Sequence, residues 1–287
     1  MAKVYGIIDI GSNSIRLMIN GDKSIKKFVK STKLAEGLAK TGYLQQIPME
    51  RSMQAINNFV KQAEEYNAEI HIFATEAVRS AKNGKFFADN IKITTGYSVD
   101  IVDGEMEAKL GFTGASNGGN VCVVDIGGAS TEIVCGNNNI IEYSKSLPIG
   151  AVRLLDNCGE DEQKLQEYIE KNIFNYGIVP KKDKLIAIGG TASTIVSVLL
   201  EMEVYDTTKV HNYLLYKEDI IYVHNIIKNT PKAIRYRIKG LAEGRRDIIV
   251  GASLELLRIM EYLGYDKVYV SEMDNLEGYL MLNIKKN

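Results

Sequence analysis

Apolar and polar residues along the first part of the chain follow short repeats of period two that change to period three to four and back. Val4 to Ile8 is a run of β-formers, and further strand-like stretches are read at 14–20 and 24–31. From about 48 to 65 the spacing becomes helical, with Met53, Ile56, Phe59, Val60 and Ala63 forming one inward stripe. A strand at 69–74, a helix at about 84–91, a strand at 98–102 and a helix at 104–115 follow. The order then restarts. Strands are predicted at 120–125, 130–136 and 139–147, helices at 150–156 and 161–174, a buried strand at 184–188 and a helix at 191–200. The later part is mostly helical, near 217–228 and 242–262, with a strand at 267–270 and a last helix from about Asn275. Two runs of three strands, each continuing into alternating helices and strands, predict mixed sheets with helices on their faces, the α/β class.

The restart coincides with a repeated motif. Asp9-Ile10-Gly11-Ser12-Asn13-Ser14 ends the first strand, and Asp125-Ile126-Gly127-Gly128-Ala129-Ser130 ends its later counterpart. A strand closing on Asp before a Gly/Ser turn presents a carboxylate beside backbone N–H groups and hydroxyls, a cradle for phosphate with its metal ion. One such turn is most simply a hairpin. Two copies, separated by about the length of one domain, predict related halves that bring two phosphate loops to one ligand across a cleft. A third turn, Gly189-Gly190-Thr191, follows the strand at 184–188 and opens an apolar helix, aiming the positive helix end at whatever lies above it.

Composition narrows the class. The 287 residues are 45% hydrophobic and 25% charged, enough for a sizeable core and two domains. No apolar run reaches membrane-spanning length and the N-terminus lacks a signal-peptide layout, so the expectation is a cytoplasmic protein without membrane partners. A net charge of −1 gives no general attraction to nucleic acid, although Lys23 to Lys33 and Arg235 to Arg246 are locally basic. Such runs are commonly solvated faces, and a polyanionic substrate would give the second a purpose. Cys122, Cys135 and Cys158 lack metal-ligand spacing and are expected to be reduced; His71, His211 and His224 are scattered.

These residues resemble the exopolyphosphatase and guanosine pentaphosphate phosphohydrolase family. The resemblance runs through Asp9 to Arg16, Ala74-Thr-Glu-Ala-Val-Arg79 with Asn83, Gly104-Glu-Met-Glu-Ala108 and Asp125 to Glu132. It continues through Ser146-Leu-Pro-Ile-Gly150 with Arg153, Ile188 to Thr191, Val210-His211, Arg245 to Asp247 and Glu277-Gly278. It implies two ribonuclease-H-like domains of the actin, sugar-kinase and Hsp70 superfamily with a cleft between them. The boundary is expected in the Gly-rich run at 116–120, giving domains at 1–116 with 276–287, and at 117–275.

Hydrolysis of a phosphoanhydride needs charge neutralisation, phosphate donors and a base that orients water. Asp125, Glu132 and Asp9 are the expected metal residues, for Mg²⁺ with Mn²⁺ as the alternative. A carboxylate capping its own turn is the plainer explanation of each. Glu107 is the expected base, matching the second acid of the family's Gly-x-Glu-Glu-Ala segment, although an acid in a helix's first turn is also stabilised by the dipole alone. The expected phosphate-binding residues are Gly11, Ser12, Asn13, Ser14 and Arg16; Arg79; Gly127, Gly128, Ala129 and Ser130; Gly189, Gly190 and Thr191; and Arg245. Each arginine could instead serve an ion pair, with Glu76 or Glu243 as partners.

Several positions depart from the family pattern. Met106 replaces the first acid of the pair, Lys109 an arginine and Asp103 a serine-type residue. Ala129 replaces a glycine, and Asp274-Asn275-Leu276 replaces Gly-Leu-Arg. The leading expectation is release of a terminal phosphate from polyphosphate or of the 5′ γ-phosphate from guanosine pentaphosphate, with either polyanion as partner and a homodimer left open. An actin-like ATPase or sugar kinase, and a non-catalytic guanosine polyphosphate sensor, are the alternatives.

Overall fold

A computed structural model describes residues 3–21 and 24–284. Lys23 of the first basic run and the end of the predicted last helix, 285–287, lie outside the described residues. The chain forms two compact units, Met1–Glu107 with Asn283–Asn287, and Ala108–Leu282.

Unit 1 holds β1 (Tyr5–Ile10), β2 (Ser14–Asn20), β3 (Ile25–Ser31), β4 (Glu69–Ala74) and β5 (Val99–Ile101) in the order β3-β2-β1-β4-β5. The first three are antiparallel neighbours, and β4 and β5 join in parallel. The sequence explains this arrangement. The four-residue turn after Ile10 permits an antiparallel return, whereas α1 (Gln46–Glu64) carries the chain back for a parallel strand. Ile56, Phe59, Val60 and Ala63 bury the predicted stripe of α1. Met53 is only half-buried; Ser52 takes the inward place and donates its hydroxyl to Thr32 Oγ1 at 2.9 Å. The short α2 (Glu76–Ser80) and then α3 (Gly84–Thr95) complete the unit's helical part before α4 (Gly104–Ser116) begins.

Unit 2 repeats the plan with β6 (Val121–Ile126), β7 (Thr131–Asn137), β8 (Ile140–Leu147), β9 (Lys184–Ile188) and β11 (Lys267–Val270). Its strand order, β11-β9-β6-β7-β8, is that of unit 1, with one edge strand added beside β11. That addition, β10 (Tyr213–Tyr216), pairs antiparallel with β11 and was not expected from sequence, since four residues are too few to establish an alternation.

The compact units part inside α4, whereas the expected boundary lay at 116/117. Ala108 and Phe112 of this helix pack with Val121, Val123, Val134, Ile186 and Ile188, which ties all but its first turn to the second core. The chain's last elements are Asn275–Tyr279 and a π-helical turn at Leu280–Ile284. Their first residues also belong to unit 2, because Gly278 lies against the Leu110 backbone.

The expectation of reduced cysteines fails for two of the three. Cys122 and Cys135 face each other across β6 and β7, with Cα atoms 4.0 Å apart, and are joined as a disulfide. Cys158 is free and buried, and burial pushes its thiol pKa up. Alkylation of the denatured protein is therefore expected to modify Cys158 alone, and all three cysteines only after reduction; mass spectrometry distinguishes the two.

Candidate active site

The two copies of the Asp-Ile-Gly motif share backbone geometry, each within its own unit. Gly11 N–H donates to Ser14 O at 3.1 Å, and Gly127 N–H donates to Ser130 O at 3.0 Å. A Cβ on either glycine would lie about that close to the same serine oxygen, 2.9 Å and 3.0 Å respectively, so both turns use the missing side chain in one way. The register continues the match, with Asp9 opposite Arg16 and Asp125 opposite Glu132.

The chemistry at the matched positions differs. In unit 1 Arg16 Nε donates to Asp9 Oδ2 at 2.9 Å, and its Nη2 bonds the same oxygen. The first acid and the expected phosphate grip thus neutralise each other. In unit 2 the position matching Arg16 is the acid Glu132, so two carboxylates stand on neighbouring strands at one level and on one face. Ser146 donates to Glu132 Oε1 at 2.6 Å from β8. Paired acids are disfavoured without a positive charge between or near them.

The carbonyls of the second turn are occupied from behind. At the start of α5 (Ala151–Cys158), Ala151 N–H donates to Gly127 O at 2.9 Å and Val152 N–H to Gly128 O at 2.8 Å. Arg153 Nε donates to Ala129 O at 2.7 Å. Ala129 keeps φ negative, so the missing third glycine imposes no left-handed strain.

The third turn comes to the same acid. Gly189, with φ +81°, leads into α6 (Gly190–Leu199), and a Cβ on it would lie 2.7 Å from Asp125 Oδ1. A Cβ on Gly190 would overlap the Arg245 guanidinium, at 1.7 Å from Nη2. Glycine is therefore needed here for close approach, by a carboxylate at the first position and a guanidinium at the second. Unit 2 consequently gathers Asp125, Glu132, the Gly-Gly turn and Arg245 around neighbouring strand ends.

Among the described residues no group of three or more His, Cys, Asp or Glu could enclose a metal. Magnesium does not require such a cage; it keeps several waters and commonly takes one or two carboxylates plus substrate phosphates. The hard oxygen donors of Asp125 and Glu132 fit that kind of ion. They do not fit zinc, which prefers a closed set including nitrogen or sulfur.

In unit 1 Glu107 is 7% exposed in the first turn of α4, whose N-terminus is capped by Asp103: Met106 N–H donates to Asp103 Oδ1 at 2.7 Å. Arg79 Nη1 donates to Glu107 Oε2 at 2.8 Å and to Val102 O at 2.7 Å, while Nη2 pairs with Glu76. Burial opposes the Arg79 charge, but the two glutamates outweigh it and raise its pKa. The expected phosphate ligand is engaged in holding the expected base. The neighbouring acid Glu105 is exposed and points elsewhere.

Arg235 of the second basic run is neither solvated nor presented to a polyanion. It is 2% exposed, and its two Nη atoms reach Glu160 at 2.5 and 2.9 Å. A cavity of about 660 Å³ in unit 2 lies at the starts of β6 and β9, lined by Val121, Lys184, His211 and Tyr269 among others. It contains none of the expected site residues; Asp125 and the Gly189-Gly190 turn lie at the other ends of those two strands. One buried acid escaped the sequence reading. Glu255 of α7 (Ile249–Leu263) is wholly inaccessible, and its position among Gly251, Ala252 and Ile259 on the inward helix face was the available signal.

The repeated strand order and the two matching Asp-Ile-Gly turns define an α/β fold with two ribonuclease-H-like units. Residues 19–287 match the Ppx/GppA phosphatase family, and the chain belongs to it. The match begins after the first Asp-Ile-Gly turn. The chain is 33% identical to the bifunctional 3-dehydroquinate synthase/phosphatase of Fusobacterium nucleatum, over 97% of its own length and 46% of the relative's. It is 28% identical to exopolyphosphatase 2 of Mycobacterium tuberculosis, covering 94% of this chain and 95% of that one. A guanosine-5'-triphosphate,3'-diphosphate pyrophosphatase of Pseudoalteromonas translucida is 27% identical over 96% of this chain and 58% of its own. The chain thus spans about half the length of two of these three relatives. The solved PPX-GPPA enzyme of Aquifex aeolicus superposes with a TM-score of 0.78 at 29% identity, covering 97% of this chain and 98% of that one. No helix among the described residues is long and apolar enough to cross a membrane.

Proposed function

We propose that this chain is a phosphohydrolase that releases the terminal phosphate of inorganic polyphosphate, the 5′ γ-phosphate of guanosine pentaphosphate, or both. The observation that carries the reading is the changed partner in the repeated motif: Asp9 faces an arginine, whereas Asp125 faces a second carboxylate. A pair of facing acids beside an arginine and a glycine turn suits a cation together with an anionic substrate. The family membership and the names of the relatives support the same reaction class.

In this reading Asp125 and Glu132 hold Mg²⁺ or Mn²⁺, directly or through water, and the bound cation supplies neutralisation of phosphate charge. Arg245 and the N–H groups of Gly189, Gly190 and Thr191 bind phosphate oxygens, joined by those of Gly127, Gly128, Ala129 and Ser130. Gly11, Ser12, Asn13 and Ser14 offer the equivalent donors from unit 1. Asp9 is reassigned from a metal ligand to the residue that orients Arg16, because the guanidinium already occupies its Oδ2. Glu107 accepts the proton of the attacking water, and Arg79 acts by holding Glu107 in place.

The test is a side-by-side assay of phosphate release from short polyphosphate, guanosine pentaphosphate and ATP, with Mg²⁺ and with excess EDTA. Release from at least one of the first two that EDTA abolishes and Mg²⁺ restores is expected. Turnover of ATP alone would instead select the kinase or ATPase reading, and tight nucleotide binding without release would select the sensor.

A further inference from the structure

Glu255 lies beneath the proposed cation side of unit 2. Its Oε1 accepts the Thr131 hydroxyl at 2.6 Å, and its buried Oε2 has no hydrogen-bond partner among the described residues. Burial pushes its pKa up to about 8, so the group is held as a neutral acid near pH 7. Thr131 is itself wholly buried and opens β7. Its carbonyl accepts the Tyr176 hydroxyl at 2.8 Å, and the Tyr176 carbonyl accepts the Tyr143 hydroxyl at 2.6 Å. The next residue is Glu132. Strand alternation turns its side chain to the opposite face, level with Asp125, where Ser146 holds one oxygen.

An acid buried without a cation costs stability, and an apolar side chain of similar size would pack there at less expense. What Glu255 contributes must therefore come through its one polar contact. A β-branched threonine has few rotamers, so fixing its hydroxyl from the helix side also fixes the backbone that carries the following residue. We propose that Glu255 is a positioning residue, which through Thr131 sets the first residues of β7 and thereby the place of the Glu132 carboxylate opposite Asp125. This rests on the reading that those two carboxylates serve a cation.

The experiment compares Glu255→Leu, Glu255→Gln and Thr131→Val in the full chain by melting temperature, by Mn²⁺ binding without substrate from the electron paramagnetic resonance of free Mn²⁺, and by the Mg²⁺ dependence of phosphate release. Glu255→Leu should melt at or above the wild-type temperature yet bind Mn²⁺ about tenfold more weakly, with a parallel rise in half-saturating Mg²⁺. Glu255→Gln, whose amide oxygen accepts the same hydroxyl, should bind within about twofold of wild type. Thr131→Val should reproduce the weakened binding, and the double variant Glu255→Leu with Thr131→Val should be no worse than either single change. Wild-type Mn²⁺ binding in Glu255→Leu, or losses that add in the double variant, would overturn the proposal. Asp125→Asn separates the two levels: if it abolishes Mn²⁺ binding while Glu255→Leu does not weaken it, the positioning role alone fails. If Asp125→Asn binds normally, the reading of the site and the proposal fall together.

Discussion

Replacing Glu107 by glutamine is expected to lower kcat for phosphate release by about 10²- to 10⁴-fold, the usual contribution of a positioned general base. At about 1.4 kcal/mol per factor of ten, this is a loss of roughly 3–5 kcal/mol of transition-state stabilisation. The amide cannot take a proton from water, but its oxygen can still accept from Arg79 Nη1, now 2.8 Å from the carboxylate. The melting temperature should consequently change little. Glu105→Gln is the internal control, because that side chain is exposed two residues away on the same helix. Steady-state kinetics on the two variants give the comparison. Equal rates would remove Glu107 from the reaction, and a large loss in Glu105→Gln would move the role to the neighbour.

The second large effect is expected at a glycine contact. A Cβ on Gly278 would stand 2.0 Å from Leu110 O, and one on Gly114 would stand 2.1 Å from Asp274 O. Both obstacles are backbone atoms, so no rotamer change relieves them. Gly111 adds to the contact, with the Asn275 side chain 2.9 Å from where its Cβ would be. Gly278→Ala should force α4 and the Asn275–Tyr279 helix apart, at a cost of about 1–3 kcal/mol or more. For a chain of this size each kcal/mol lowers the melting temperature by about 2–4 °C. Calorimetry should therefore register a fall of several degrees. A change within a degree would mean that the two helices tolerate separation.

Much of the fold was legible because its signals are local. Strand-like runs placed β2, β4 and β11, a continuous apolar run placed β9, and the turn chemistry after Ile10 and Ile126 marked the antiparallel returns. β10 was invisible because it exists only as an addition to β11. The cysteines were misread for a related reason: spacing along the chain says nothing about which residues a register will oppose, and β6 and β7 oppose Cys122 and Cys135. How the second loop accommodates Ala129 in place of a glycine was also a tertiary question, answered by a negative φ and by Arg153 holding its carbonyl.

The sequence by itself determined the duplicated plan, the two Asp-Ile-Gly turns and the resemblance that names a phosphatase family. Those depend on residue order, on glycine where backbone must approach closely, and on hydrophobic period. Only the tertiary structure decided what each charged group faces. It paired Arg16 with Asp9 and Arg79 with Glu107, buried Arg235 against Glu160, and set Glu132 beside Asp125. It also placed Glu255 under Thr131, 124 residues away in sequence. The reason is physical: a charge acts over a few ångströms through partners brought by strand register and helix packing, and neither is written in the local pattern that fixes the elements.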